Sequence, residues 1–169
     1  MAGPLIVTAE LGKADFAWAN GLRSRHFPPE RNQVPTHLTL FHALPPSSEG
    51  EVRRAIKRAC AAPPPGAEIA GLMSLGGGVA FRIRSAELDA VREELASAFH
   101  GLLTAQDSGG WAPHITIQNK VEPAAARELM TSLERSFEPR PLSIRGLLLF
   151  RYLGGPWEPL GNWQFRGVS

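Results

Sequence analysis

Apolar positions along this chain recur with two periods, and the switches between them mark out the elements. Leu5–Glu10 predicts a strand, and Ala14–His26 a helix with Phe16, Ala19 and Leu22/Arg23 at helical spacing. His37–Leu44 returns to strand character. Gly50–Ala61 then places Val52, Ala55, Ile56 and Ala59 on one helical face. Ile69–Leu75 and Val79–Ile83 read as strands joined by the run Gly76–Gly78. Ser85 is a candidate N-cap for a helix whose buried stripe is Leu88, Val91, Leu95 and Phe99. Ile115–Val121 predicts a strand, and Pro123 opens a helix to about Phe137. Leu142–Tyr152 and Asn162–Arg166 finish as strands, and clusters such as Pro63-Pro64-Pro65-Gly66 and Gly154-Gly155-Pro156 punctuate the chain.

The element order repeats. Strand, helix, loop, His-x-Thr strand, helix, strand occurs twice, as HLTLFHALPPSSEGEVRRAIKRA from His37 and HITIQNKVEPAAARELMTSLERS from His114. Two such halves pair about a pseudo-twofold axis, with equivalent strands meeting in the middle. The expected fold class is therefore α+β. It is a single two-lobed domain over residues 1–169, each lobe an antiparallel sheet with outer helices, and a groove lies between the lobes.

Composition narrows the field without redirecting it. The chain has 169 residues, 43% of them hydrophobic, which suffices for a core. A net charge of +2 is too small to argue for nucleic acid as a partner, although the pI near 9.1 leans that way. Cys60 is the sole cysteine, so no internal disulfide exists and a reducing compartment fits. No Cys/His cluster has zinc-ligand spacing, and we expect neither metal nor cofactor. The apolar start is too short for a signal peptide or a membrane span. We expect a cytoplasmic, soluble monomer.

The candidate chemistry sits in the repeated strands. Residues i and i+2 of a strand share a face, so His37 and Thr39 project together, as do His114 and Thr116. Two imidazoles and two hydroxyls around one site suit phosphodiester hydrolysis. A neutral ring takes a proton from water and a protonated ring gives one to the departing oxygen. The Thr39 and Thr116 hydroxyls donate to the non-bridging oxygens, where charge builds.

HLTL and HITI within a duplicated α+β chain resemble the two-histidine phosphoesterase superfamily. The longer matches WAPHITIQNKV and RYLGGPWE are similar to its LigT-like family of 2′-5′ RNA ligases or RNA 2′,3′-cyclic phosphodiesterases. The likeness runs from the strand at Leu5 to that near Phe165. It implies hydrolysis of a 2′,3′-cyclic phosphate on an RNA end or nucleotide to a 2′-phosphate, with some 2′-5′ ligase activity. On that pattern His37 is the general acid and His114 the general base, with Thr39 and Thr116 binding phosphate. The alternatives are another small cyclic phosphate, or a module that binds phosphorylated RNA ends without turnover. One departure is Gln118-Asn119-Lys120, where better-known RNA-processing members often carry an arginine. Lys120 lies too far along the strand to reach the same phosphate.

Phe41 falls on the face of His37 and Thr39, so it either stacks on a base or packs in the core. Trp157, in or beside the loop after Tyr152, is a candidate pocket wall, and Trp111 a loop anchor. His42 is expected on the face opposite His37. His26 and His100 sit near helix ends, where a cation suits the dipole. Arg23, Arg25 and Arg31 form either a solvated face or a phosphate-attracting rim. The run Gly76–Gly78 joins strands and opens no helix, so it is not a phosphate loop.

Overall fold

The computed structural model describes residues 2–168. The elements are β1 (Leu5–Leu11), α1 (Lys13–His26), β2 (Leu38–Leu44), α2 (Glu49–Ala59), β3 (Gly66–Ser74), β4 (Val79–Arg84), α3 (Ala86–Ala98), α4 (Ala105–Ser108), β5 (His114–Gln118), α5 (Pro123–Glu134), β6 (Arg140–Tyr152) and β7 (Trp157–Gln164). Side-chain caps start two of the helices, α3 at Ser85 and α4 at Thr104, while α5 opens on Pro123. Ser85 Oγ accepts from the Leu88 amide at 3.0 Å and donates to the Gly66 carbonyl at 2.7 Å, which ties the start of α3 to β3. Val52, Ala55, Ile56 and Ala59 of α2, and Leu88, Leu95 and Phe99 of α3 and its cap, are buried as the periodicity predicts.

All strands are antiparallel, in the order β2-β1-β6-β3-β4-β5, with β7 also on β6. The expected α+β architecture is present, and its two sheets are joined through β6. Residues Arg140–Ser143 of this strand pair with β3, while Ile144–Arg151 pair with β1. A thirteen-residue strand spans both sheets because its apolar positions, Leu142, Ile144, Leu147 and Leu149, are buried along its whole length. β2 and β5, at opposite ends of the strand order, are brought back against each other.

β7 begins five residues before the predicted strand. Pro159 and Gly161 mask it in the sequence, yet β7 pairs only with β6, and an edge strand tolerates a proline. The preceding turn closes with the Leu153 amide donating to the Pro156 carbonyl at 2.9 Å, and Gly154 takes φ +90 there. Trp157 is therefore the first residue of a strand.

The His-x-Thr strands share an irregularity that alternation does not reveal. In β2, Thr39 pairs with Thr8 but Phe41 pairs with Val7, so Leu40 is an extra residue. In β5, Thr116 pairs with Ala80 but Gln118 pairs with Val79, so Ile117 is extra. Each is a β-bulge one residue past the threonine. The bulge turns two consecutive residues inward. Leu40 and Phe41 are both fully buried, as are Ile117 and nearly all of Gln118.

Phe41 consequently leaves the face of His37 and Thr39. Its ring meets Phe99 edge-on at 5.2 Å, and the Arg92 guanidinium lies 4.1 Å above it. The base-stacking option for Phe41 is thus excluded. His42 is corrected in the opposite sense. The extra residue shifts its phase, so it projects on the same side as Thr39.

Candidate active site

The fold brings His37, Thr39, His114 and Thr116 around one cavity of about 180 Å³, with Ile6, His42 and Trp157 completing its lining. His37 precedes the first hydrogen-bonded residue of β2, and His114 begins β5. Each ring is pinned in the same way. His37 Nδ1 donates to the Pro35 carbonyl at 2.9 Å, and His114 Nδ1 donates to the Ala112 carbonyl at 2.8 Å. A carbonyl only accepts, so both Nδ1 atoms carry protons and Nε2 is the free nitrogen of each ring.

The strand backbones are held from outside the sheet. Trp111 Nε1 donates to the Thr39 carbonyl at 3.0 Å, the loop anchor expected of it. Arg92 of α3 donates from Nε to the Leu40 carbonyl at 2.9 Å, and from Nη2 to the Asp107 carbonyl at 2.7 Å. Arg23 of α1 donates to the Thr116 carbonyl at 3.1 Å and to Asn32 at 2.8 Å. Arg23 is 4% exposed, so it belongs neither to a rim nor to a solvated face, whereas Arg25 and Arg31 are exposed. Burial pulls the Arg23 guanidinium down to about 10, which leaves it charged at neutral pH.

Burial also pushes the His37 imidazole down to about 4. Its bond to the Pro35 carbonyl works the other way, while the charges of Arg23, His42 and His114 push further down. The Trp157 ring lies 4.7 Å from the His37 ring, centroid to centroid, and 5.5 Å from Phe150. Beyond this pair opens a second pocket of about 380 Å³, walled by Phe16, Val34, Pro35, Leu148, Phe150 and Trp157. The hydroxyls of Thr8 and Thr36, which line it, are buried with no hydrogen-bond partner among the described residues.

Two site features escaped the sequence reading. His42 and Asp107 form a hydrogen-bonded pair at 3.0 Å, and Arg23 backs the second motif. Only a partial signal for His42 was present: Leu40 and Phe41 are adjacent apolar residues, but the second bulge, at Ile117-Gln118, carries no such mark, and strand pairing is what defines both. Lys120 lies beyond the end of β5 with φ +63 and does not line the cavity. Among the described residues, no group of three or more His, Cys, Asp and Glu is placed to hold a metal ion, and no helix is long and apolar enough to cross a membrane.

An antiparallel α+β fold with paired His-x-Thr strands at one cavity is the architecture of the LigT-like, two-histidine phosphoesterase class. Residues 12–156 match the 2′-5′ RNA ligase superfamily, and the chain belongs to that family. Membership makes it a phosphoesterase- or ligase-type enzyme. No curated protein matches the chain. Among solved structures it is similar to TT0787 of Thermus thermophilus, with 18% identity, a TM-score of 0.67, and coverage of 98% of this chain and 100% of that one. It is also similar to E. coli LigT complexed with 3′-AMP, with 19% identity, TM-score 0.66, and coverage of 98% and 99%. The MHV ns2 PDE domain is more distant, at 14% identity, TM-score 0.53, and coverage of 94% and 99%. Further E. coli LigT structures hold phosphate and ATP.

Proposed function

We propose that the site hydrolyses a 2′,3′-cyclic phosphodiester, on an RNA end or a nucleotide, to a 2′-phosphate. The observation that carries the reading is the convergence of His37, Thr39, His114 and Thr116 on one cavity, with both Nε2 atoms unengaged. Thr39 and Thr116 donate hydrogen bonds to the non-bridging oxygens. One imidazole takes a proton from water as the water oxygen bonds to phosphorus. The other gives a proton to O3′ as the P–O3′ bond breaks, leaving the phosphate on O2′. The phosphate, 3′-AMP and ATP bound by LigT support an anionic nucleotide as the ligand class.

The environment of His37 supports one division of labour. A ring pushed down to about 4 is neutral at pH 7, the form a base requires. This favours His37 as the base and His114 as the acid, the reverse of what the family resemblance implies. The adjoining apolar pocket, with Trp157 at its mouth, accommodates the nucleobase. In this reading the chain is a single domain built by duplication, and the shared bulges after Thr39 and Thr116 are its trace.

The test is a screen of 2′,3′-cyclic nucleotides and cyclic-ended oligonucleotides, with the product identified as 2′- or 3′-phosphate. Turnover to the 2′-phosphate, lost in His114→Ala, is the expected result. Undiminished activity in the variant lacking both His37 and His114 would refute the reading.

A further inference from the structure

The proposed reaction uses two histidines, but the cavity holds a third. His42 faces it together with Thr39 and Thr116, placed there by the bulge at Leu40. A second register shift follows at His42–Ala43, and there one carboxylate gathers the loosened backbone. Asp107, 1% exposed, accepts from the His42 amide at 2.9 and 3.0 Å, from the Ala43 amide at 3.0 Å, and from His42 Nδ1 at 3.0 Å. Burial opposes the charge on Asp107, but the bonds from the His42 ring and the two amides outweigh it and hold the carboxyl below the usual carboxylate range. Asp107 is itself fixed. Thr104 Oγ1 accepts from its amide at 3.3 Å, and Arg92 donates to its carbonyl.

Two amides would be satisfied by the carboxylate whatever the side chain at position 42. The ring bond does something more. It makes Nδ1 the donor and leaves Nε2 as the free nitrogen of a side chain that is 40% exposed and lines the cavity. The titratable and charged groups around it are Asp107 behind, Arg92 on the Asp107 carbonyl, and the His37 and His114 rings across the cavity. Aligning the two motifs puts Asn119 at the equivalent place in the second half. The third imidazole therefore exists on one side only and breaks the near-symmetry of the two His-x-Thr pairs.

We infer that His42, oriented by Asp107, binds a phosphate oxygen of the substrate through Nε2 and so sets the direction in which the substrate lies. The inference rests on the reading of this cavity as a phosphate site. The Asp107 carboxylate stays behind the ring, on Nδ1, so Nε2 is the atom turned to the anion.

The experiment measures binding of inorganic phosphate by calorimetry, and turnover of 2′,3′-cyclic AMP, in the wild type, His42→Gln and His42→Arg. We expect His42→Gln to raise the phosphate Kd about tenfold and His42→Arg to keep it within about threefold of the wild type. Melting temperatures show that both variants fold. Wild-type affinity in His42→Gln overturns the inference and leaves His42 a structural residue. Phosphate binding by the wild type without turnover would defeat the proposed reaction alone, and the Kd comparison would still decide His42. A wild type that binds no phosphate would end both.

Discussion

Arg23 Nη1 donates to the carbonyl of Thr116 at 3.1 Å, joining the first helix to the second His-x-Thr strand across most of the chain. The guanidinium also donates to Asn32 and packs 4.1 Å over the Phe27 ring, yet among the described residues it forms no salt bridge. A buried cation without an anion is costly, and here it lies close enough to His37 to lower that ring's affinity for a proton. A phosphate in the cavity would supply the missing negative charge. Arg23→Met should therefore weaken phosphate binding about tenfold, read as a rise in Kd, because a charge set directly behind the Thr116 strand and felt by His37 is worth about a kilocalorie or two in partly shielded protein. Loss of the two hydrogen bonds should also cost about 1–2 kcal/mol in chemical denaturation. An unchanged Kd would remove Arg23 from the electrostatics of the site.

The two threonines should separate from the two histidines in kinetics. Thr39→Val and Thr116→Val keep the shape of the side chain and delete one donor to the phosphate. Each should lower kcat/KM about 10- to 100-fold, whereas His114→Ala should lower kcat by about 10²–10⁴. Because one oxygen cage needs both hydroxyls, the double threonine variant should lose less than the product of the single losses. Steady-state rates on a cyclic nucleotide decide this. Multiplicative losses would place the hydroxyls at independent sites.

The sequence carried the architecture and the central pairs because both depend on local pattern. Helix stripes such as Val52-Ala55-Ile56-Ala59 and the i, i+2 spacing of His37 and Thr39 are readable one segment at a time. The bulges were not legible through simple alternation, since a bulge is a two-against-one count between partner strands and one strand alone shows only half of it. That one omission misplaced Phe41 and His42 in opposite directions. Asp107 was invisible for a related reason. It reaches His42 from another part of the chain, through a four-residue helix with no apolar period. Arg23 read as a surface cation because composition cannot show that α1 packs its last turns against β5.

Trp157 connects the small cavity to the larger apolar pocket, so its truncation should act on binding more than on chemistry. Trp157→Ala should raise KM for a cyclic nucleotide about tenfold while changing kcat less than about threefold, by loss of a stacking surface. Trp157→Phe should restore most of the affinity. The comparison is sharpest between a cyclic mononucleotide and ribose 2′,3′-cyclic phosphate, which lacks a base. If both substrates suffer equally, the ring supports His37 and does not hold the base.

Burial of His37 also predicts how stability responds to acid. Its folded value is about 4 and its unfolded value that of an ordinary imidazole, near 6.5, so the unfolded chain takes up a proton first. The stabilisation from the neutral ring is complete above about pH 6.5 and is lost as the pH falls toward 4. Allowing for the part of the ring that solvent reaches, the wild type should lose about 1–2 kcal/mol over that window through this residue. His37→Gln cannot titrate there, so its urea midpoint should fall less steeply across the same range. The comparison is made between the two proteins at each pH, which cancels the carboxylates common to both. Bound phosphate opposes the effect, since an anion beside the ring favours its protonated form. Saturating phosphate should thus flatten the difference between the two curves. Parallel curves without phosphate would mean that the His37 ring is as well solvated in the fold as in the unfolded chain, and His37 would then have no better claim than His114 to be the neutral base.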